Sequence, residues 1–265
     1  MEDSIEPVVG AETTATQTEE TKDKTASRAR KSWQDYLFEF TVPFLAVTAA
    51  FILNSERESY LEHQLEKQYL SSMVEDLKLD SASMNNRKKF IQLSLRKLDT
   101  LILYLSHPKP ETAYKIYNTS SGFLYAGPIF RANDRTLQQL KNTGGLRLIR
   151  DSNISNQIIT YDRKIIENIM FQEGAIDRAR ADCKELFGEI FKMNSLIRLY
   201  EGDFHPLPPE SKIELITQDP LVINRFLSRI FALRLVYSNA DKNTYKAGID
   251  DATEVIESLL KEIKQ

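Results

Sequence analysis

The chain has 265 residues, enough for one large domain or two small ones. Charged residues make up 28% of it but nearly cancel, and the formal net charge of −3 argues against a nucleic-acid-binding protein, which needs a basic surface. A single cysteine, Cys183, excludes an intramolecular disulfide and a thiolate cluster. Only nine glycines and nine prolines occur, so the composition favours long helices over a fold with many turns.

Residues 1–32 are predicted to be a disordered cytoplasmic tail. The segment is rich in Thr, Glu, Ala and Lys and has no apolar period, so it lacks the apolar surface that would offset the entropy lost on ordering. It has no apolar region followed by a small-residue cleavage site, which argues against a signal peptide.

Residues 33–54 are predicted to be a transmembrane anchor helix. The apolar part, Tyr36–Leu53, contains one charged residue, and a helix of that length spans ~27 Å, close to the thickness of the hydrocarbon core. Trp33 and Tyr36 stand where interfacial aromatic residues are common. The alternative is the core helix of a soluble protein, because the uncharged part, residues 40–53, is short for a membrane span.

The charges on either side of the apolar segment predict its orientation. Arg28, Arg30 and Lys31 precede the segment, whereas acidic residues predominate just after it. By the positive-inside rule, the N-terminus is cytoplasmic and residues 55–265 lie outside the cytoplasm. We therefore predict a protein of the inner (plasma) membrane with a periplasmic C-terminal domain.

Glu39 is the one charged residue inside the apolar segment. A carboxylate deep in a bilayer is energetically unfavourable, so we expect Glu39 to reach the interface or to pair with a basic residue of a partner helix. Glu39 is accordingly a candidate contact with such a helix.

Residues 55–265 are predicted to form an antiparallel bundle of long helices with coiled-coil-like seams, and the fold class is therefore all-α. The first helix continues from the anchor to about His107, where Pro108 and Pro110 end it, and Asn85-Asn86 is a candidate bend. Apolar stripes at spacings of three and four mark the later helices. One stripe comprises Ile158, Tyr161, Ile165, Ile169, Ile176, Ala179, Cys183, Leu186, Ile190, Met193 and Ile197. The other comprises Phe226, Ile230, Leu233, Tyr237, Ala240, Tyr245, Ile249, Ala252, Ile256, Leu259 and Ile263.

Polar residues and glycines predict two helix boundaries between these stretches. Asn133 or Asp134 is a candidate N-cap of a short helix, which Gly144-Gly145 ends. Asp151 or Ser152 is a candidate N-cap of the next helix. The two glycines lack the spacing of a phosphate-binding loop, so we interpret them as a helix-ending turn.

Two sequence features carry a family resemblance. Glu39 opens the apolar run and Asn54 closes it fifteen residues later. The second feature is the turn Leu140–Ile149, which reads LKNTGGLRLI and continues into Ile158–Asp162. Together they resemble a family of uncharacterised single-pass membrane proteins of Bacteroidota, defined by a domain of unknown function.

The resemblance covers roughly residues 36–165. It implies one membrane anchor followed by a helical domain outside the cytoplasm, and it brings no activity, since none is established for the family. In the turn, the positions that carry it are Leu140, Gly144, Gly145 and Leu146.

We find no sequence motif that predicts catalysis, a cofactor or a metal site. His63, His107 and His205 have no second histidine or cysteine at ligand spacing, and no serine lies in a Gly-x-Ser-x-Gly turn. Several carboxylates of the first helix are predicted to form a solvated face. They are Glu62, Glu66, Glu75, Asp76 and Asp80.

Three functional hypotheses follow from these features. The first is a membrane-anchored, non-enzymatic scaffold or partner-binding module of the cell envelope, whose partners are the lipid bilayer and another membrane or envelope protein or a second copy. The second is a sensory input domain that signals through the anchor. The third is a soluble helical protein with residues 40–53 in its core.

Overall fold

The computed structural model describes residues 32–120, 127–200 and 206–264. These residues are mostly helical and contain no strand, which confirms the all-α prediction for the described part of the chain. All but the last residue of the predicted tail lie outside the described residues, as does His205. The chain divides into two compact units after Glu56, two residues beyond the predicted end of the anchor.

The first helix, α1 (Trp33–Ser106), is continuous. The helix is not interrupted at the candidate bend, Asn85-Asn86, where the Asn85 side chain donates from Nδ2 to the Ser81 carbonyl at 3.0 Å. The prolines after His107 end the helix at Ser106, as predicted.

Shorter elements follow α1. They are a 3₁₀ turn (Pro110–Thr112), α2 (Ala113–Ser120), α3 (Arg135–Thr143), a 3₁₀ turn (Gly145–Leu148), α4 (Ser152–Lys164), the π-helical segment π1 (Ile165–Met170), α5 (Phe171–Glu185), α6 (Phe187–Ile190), α7 (Met193–Tyr200), α8 (Pro220–Asn239), the π-helical segment π2 (Ala240–Thr244) and α9 (Tyr245–Ile263).

The helix boundaries follow from capping chemistry. Asp151 accepts a hydrogen bond from the Asn153 N–H at 2.7 Å, which confirms it as the N-cap of α4. Asp134 occupies the N-cap position of α3, but its side chain makes no capping hydrogen bond. Gly144 ends α3 with a φ of 68°, in the left-handed region that favours glycine.

Long-range contacts fix the directions of the helices in the second unit. Gln92 of α1 donates to Asp241 at 2.9 Å. Asp99, which comes later in α1 than Gln92, contacts Arg234, which comes earlier in the chain than Asp241. The C-terminal part of α1 and α8 are therefore antiparallel. The same reasoning makes α5 and α8 antiparallel, because Gln172 donates to the Val236 carbonyl whereas Asp182, later in α5, pairs with Arg229, earlier in α8.

The core of the second unit is built from the predicted stripes. The fully buried members include Ile165, Ile169, Ile176, Cys183, Ile190, Phe226, Ile230, Leu233, Ala240, Tyr245, Ala252 and Leu259. Burying each large apolar side chain contributes about 1.5–3 kcal/mol.

The first stripe fails at its C-terminal end. Phe191 is extended, so the helical register restarts at α7. As a result Met193 and Ile197 are exposed, whereas Leu196 and Leu199 are buried in their place. The register change also lets Phe191 pack edge-to-face against Phe187 and Phe226.

Candidate functional site

The apolar segment Tyr36–Leu53 is the first candidate site. Within the described residues, α1 is the one helix long and apolar enough to cross a membrane. Phe44, Leu45 and Phe51 are 60%, 63% and 74% exposed, so these residues do not belong to the core of the structure. This burial pattern gives no support to the hypothesis of a soluble core helix.

The two threonine hydroxyls of this segment are satisfied by the helix itself. The hydroxyls of Thr41 and Thr48 each donate to the carbonyl four residues earlier, those of Leu37 and Phe44, at 2.8 Å. An apolar surrounding requires this, because a polar group without a partner there is strongly unfavourable.

Glu39 lies on α1 within the same segment and is exposed. Its predicted contact with a partner helix stays a prediction.

The turn that carries the family resemblance has a structural role. Leu140 is buried at the end of α3, and Leu146 packs against the core. Gly145 is buried as well, and a Cβ on it would lie 3.0 Å from the Leu140 side chain. Together with the left-handed Gly144, these residues turn the chain sharply from α3 towards α4.

The predicted solvated carboxylate face of α1 is wrong for three residues. Glu66, Asp76 and Asp80 are only 2%, 3% and 2% exposed. Each accepts a hydrogen bond from a backbone N–H far away in the sequence, and the donors are Arg150 at 2.7 Å, Thr136 at 3.0 Å and Asn133 at 2.7 Å, respectively.

These carboxylates fasten the connecting segments to α1. Thr136 lies in the first turn of α3, where backbone N–H groups have no partner within the helix. Besides the hydrogen bond from this N–H, Asp76 accepts one from the Thr136 hydroxyl at 2.5 Å. The N-terminus of a helix favours a negative charge, so an acidic residue suits this position.

Asp80 also contacts a buried tyrosine, Tyr161. The Tyr161 hydroxyl donates to Asp80 at 3.3 Å. Burial raises the pKa of the Asp80 carboxyl, although the hydrogen bonds from Asn133 oppose the shift. Burial also raises the pKa of Tyr161, and the nearby charge of Asp80 adds to that effect.

A second buried cluster joins α1, α5 and α9. Arg87, which is 1% exposed, donates from Nε and Nη2 to the two carboxylate oxygens of Glu173 at 2.7 and 2.6 Å. The Tyr245 hydroxyl donates to the same carboxylate, and the Arg87 guanidinium lies over the Phe90 ring at 5.5 Å. Burial raises the pKa of Tyr245, and the charge of Glu173 raises it further.

Sequence reasoning missed this cluster, although a signal was present. Arg87 is three residues after the buried Met84 and four before the buried Ile91, and Glu173 is four residues after the buried Ile169 and three before the buried Ile176. A charged residue at a seam position of an apolar stripe indicates a buried ion pair.

The described ranges contain no group of three or more histidine, cysteine or acidic side chains placed to hold a metal ion. No family model, curated protein or solved structure matches the chain. The resemblance to the Bacteroidota family therefore stays a prediction.

Proposed function

We propose that the chain is a single-pass, non-enzymatic membrane protein of the cell envelope that holds a helical partner-binding domain outside the cytoplasm. Its apolar segment would cross the inner membrane with the N-terminus in the cytoplasm. Residues 57–264 would form an antiparallel bundle with coiled-coil-like seams, and act as a scaffold for another envelope protein or a second copy.

The observation that carries this proposal is the exposure of the apolar segment. A run of large apolar side chains that faces no protein is unfavourable in water but favourable in lipid. Basic residues before the segment and acidic residues after it support the proposed orientation.

Exposed apolar side chains on the domain support a role in partner binding. Leu103 of α1 follows Asp99 by one helical turn. On α8, Phe231 and Leu235 flank Arg234. All three apolar side chains are exposed. Because Asp99 and Arg234 are in contact, these side chains surround one surface ion pair. Exposed apolar residues that lie close together are typical of protein interaction sites.

Membrane fractionation tests the anchor. The full chain should stay in the membrane pellet after an alkaline wash and be released by detergent. Replacing Leu45 and Val47 together by arginine should release it, since each arginine at the centre of a span is unfavourable by roughly 2.5–3.5 kcal/mol. Leu79→Arg, at an exposed site further along α1, is the matched control and should stay in the pellet. Release of the unmodified chain by the wash would refute the anchor.

Protease treatment of spheroplasts tests the orientation. An epitope at the C-terminus should be digested without lysis. Its protection would reverse the proposed topology.

Crosslinking in cells tests the scaffold role. The unmodified chain should form one complex of defined stoichiometry, which the double variant Leu103→Asp/Phe231→Asp should lose while remaining in the membrane. Leu79→Asp should keep the complex. A complex that survives the double variant would exclude this surface as the interface.

A further inference from the structure

A polar groove lies on the helical domain between the α4–π1 and π2–α9 stretches. It consists of two cavities of about 320 and 310 Å³, each of a size typical of small-ligand sites. Lys164 and Asp251 line both cavities, so the two lie next to each other. These two residues form an ion pair at 2.8 Å that links α4 to α9.

One face of α4 gives the first cavity its polar wall. Asn153, Asn156, Gln157 and Thr160 recur at helical spacing along this face. Amide side chains both donate and accept hydrogen bonds, as hydroxyl groups do.

Gln157 supplies a separate indication of a ligand. Its Oε1 is buried and has no hydrogen-bond partner in the described part of the chain. Buried polar atoms are rarely left without a partner. The terminal torsion of glutamine is soft, so the amide can turn towards a donor group in the groove.

The second cavity lies between the two π segments. Gln172 is buried and fixed, since it donates to the Val236 carbonyl at 3.1 Å and accepts from Asn239 at 2.7 Å. Asn239 in turn accepts from Asn243 at 2.8 Å. This chain of amides leads from the interior to the groove and orients its outer members before any ligand arrives. Single-turn π segments are frequent at functional sites.

Charge and shape narrow the class of ligand. The charged groups of the groove are Lys164, Asp251 and Glu254, which disfavour a phosphate or a carboxylate ligand. Phe171 lines the second cavity with its side chain 71% exposed, and its ring offers a flat apolar surface beside the amides. A peptide would need apolar pockets for alternate side chains, whereas most of the residues that line the first cavity carry polar side chains.

We propose that this groove binds a neutral oligosaccharide. The hydroxyl groups of the sugar would exchange hydrogen bonds with the amides, and one C–H face of a sugar ring would pack on Phe171. The electron-rich face of an aromatic ring attracts the slightly positive C–H groups of such a face. This proposal concerns a different surface from the partner-binding site, and its test does not depend on membrane insertion.

Isothermal titration calorimetry on the full chain tests this proposal. The detergent must carry no sugar headgroup, and the probes are tri-N-acetylchitotriose, maltotriose and cellotriose. At least one probe should bind with a dissociation constant of about 1 mM or lower. Asn168 lines the second cavity beside Phe171. Phe171→Ala and Asn168→Ala should each weaken that binding about tenfold, whereas Tyr60→Ala, an exposed aromatic outside the groove, should leave it unchanged.

Three results would overturn the proposal. One is that no probe binds at about 10 mM. Another is equal binding by the groove variants, with thermal unfolding showing that they are folded. The third is tighter binding of trigalacturonate or of trialanine, which would identify an anionic or a peptide ligand instead.

Discussion

Arg87 and Glu173, 86 residues apart in the chain, form two parallel hydrogen bonds inside the helical domain. This two-bond geometry is the one in which a guanidinium and a carboxylate pair most strongly. The Tyr245 hydroxyl donates a third hydrogen bond to the same carboxylate. These three residues tie α1, α5 and α9 together. The surrounding apolar core fixes the distance between helices, and this cluster restricts how they can slide along one another.

Removing one partner of this pair should be strongly destabilising. Arg87→Met leaves the Glu173 carboxylate buried without its cation, and breaking such a pair lowers the free energy of unfolding by about 3–5 kcal/mol. Urea unfolding of the full chain in detergent micelles, followed by circular dichroism, measures the loss.

Two further variants control for this result. Arg234→Met breaks a surface ion pair and should lower the free energy of unfolding by less than about 1 kcal/mol. Arg87→Met combined with Glu173→Met also removes the isolated carboxylate and should regain part of the loss. If Arg87→Met alone is as stable as Arg234→Met, the Arg87–Glu173 pair does not behave as a buried ion pair.

The pH dependence of stability should report on Asp80. Burial raises the pKa of its carboxyl above the ordinary 3.8, so the folded state holds the proton more tightly than the unfolded state. The stabilisation from this group is therefore complete below the ordinary pKa and is lost as the pH rises through the raised one. Asp80→Asn cannot ionise and should lack this loss.

Unfolding of both proteins at about pH 4, 5, 6 and 7 tests this expectation. The free energy of unfolding of the variant relative to the unmodified protein should increase with pH. A difference that stays constant, or that decreases with pH, would show that the carboxyl does not titrate as its burial requires.

Gly144 and Gly188 should respond in opposite ways to replacement by alanine. Gly144 has a φ of 68°, and a left-handed conformation is unfavourable for alanine by about 1–2 kcal/mol. Gly188 lies in α6, and a Cβ on it would meet no other atom within 4 Å. Gly188→Ala should therefore stabilise the protein by about 0.5–1 kcal/mol. Thermal unfolding of both variants measures the contrast, and a stabilising Gly144→Ala would mean that the turn is not left-handed.

The sequence predicted those parts of the fold that depend on local signals. The prolines after His107, the glycine at 144 and the cap at Asp151 act within one helical turn, so their effects can be read from neighbouring residues. The apolar stripes likewise identified most of the buried positions of α4, α5, α8 and α9.

Features that depend on distant residues could not be predicted in this way. The carboxylates of Asp76 and Asp80 look like ordinary solvated positions, because their donors are 60 and 53 residues away. The exposure of Met193 likewise depends on the extended conformation of Phe191, which packs against α8. The polar groove is formed by two stretches far apart in the sequence, α4–π1 and π2–α9, so neither stretch alone predicts it.

Cys183 gives a direct test of the predicted core of α5. The thiol is fully buried, and burial raises its pKa to about 12, so it is neither accessible nor ionised at neutral pH. We expect no reaction with a thiol-specific maleimide in the folded protein and complete reaction in urea. Leu79→Cys, introduced at an exposed position of α1 outside the proposed interface, should add one thiol that reacts at once in the folded state. If Cys183 itself reacts as fast as that surface cysteine, the seam of α5 must open readily, and the packing described for this helix would be wrong.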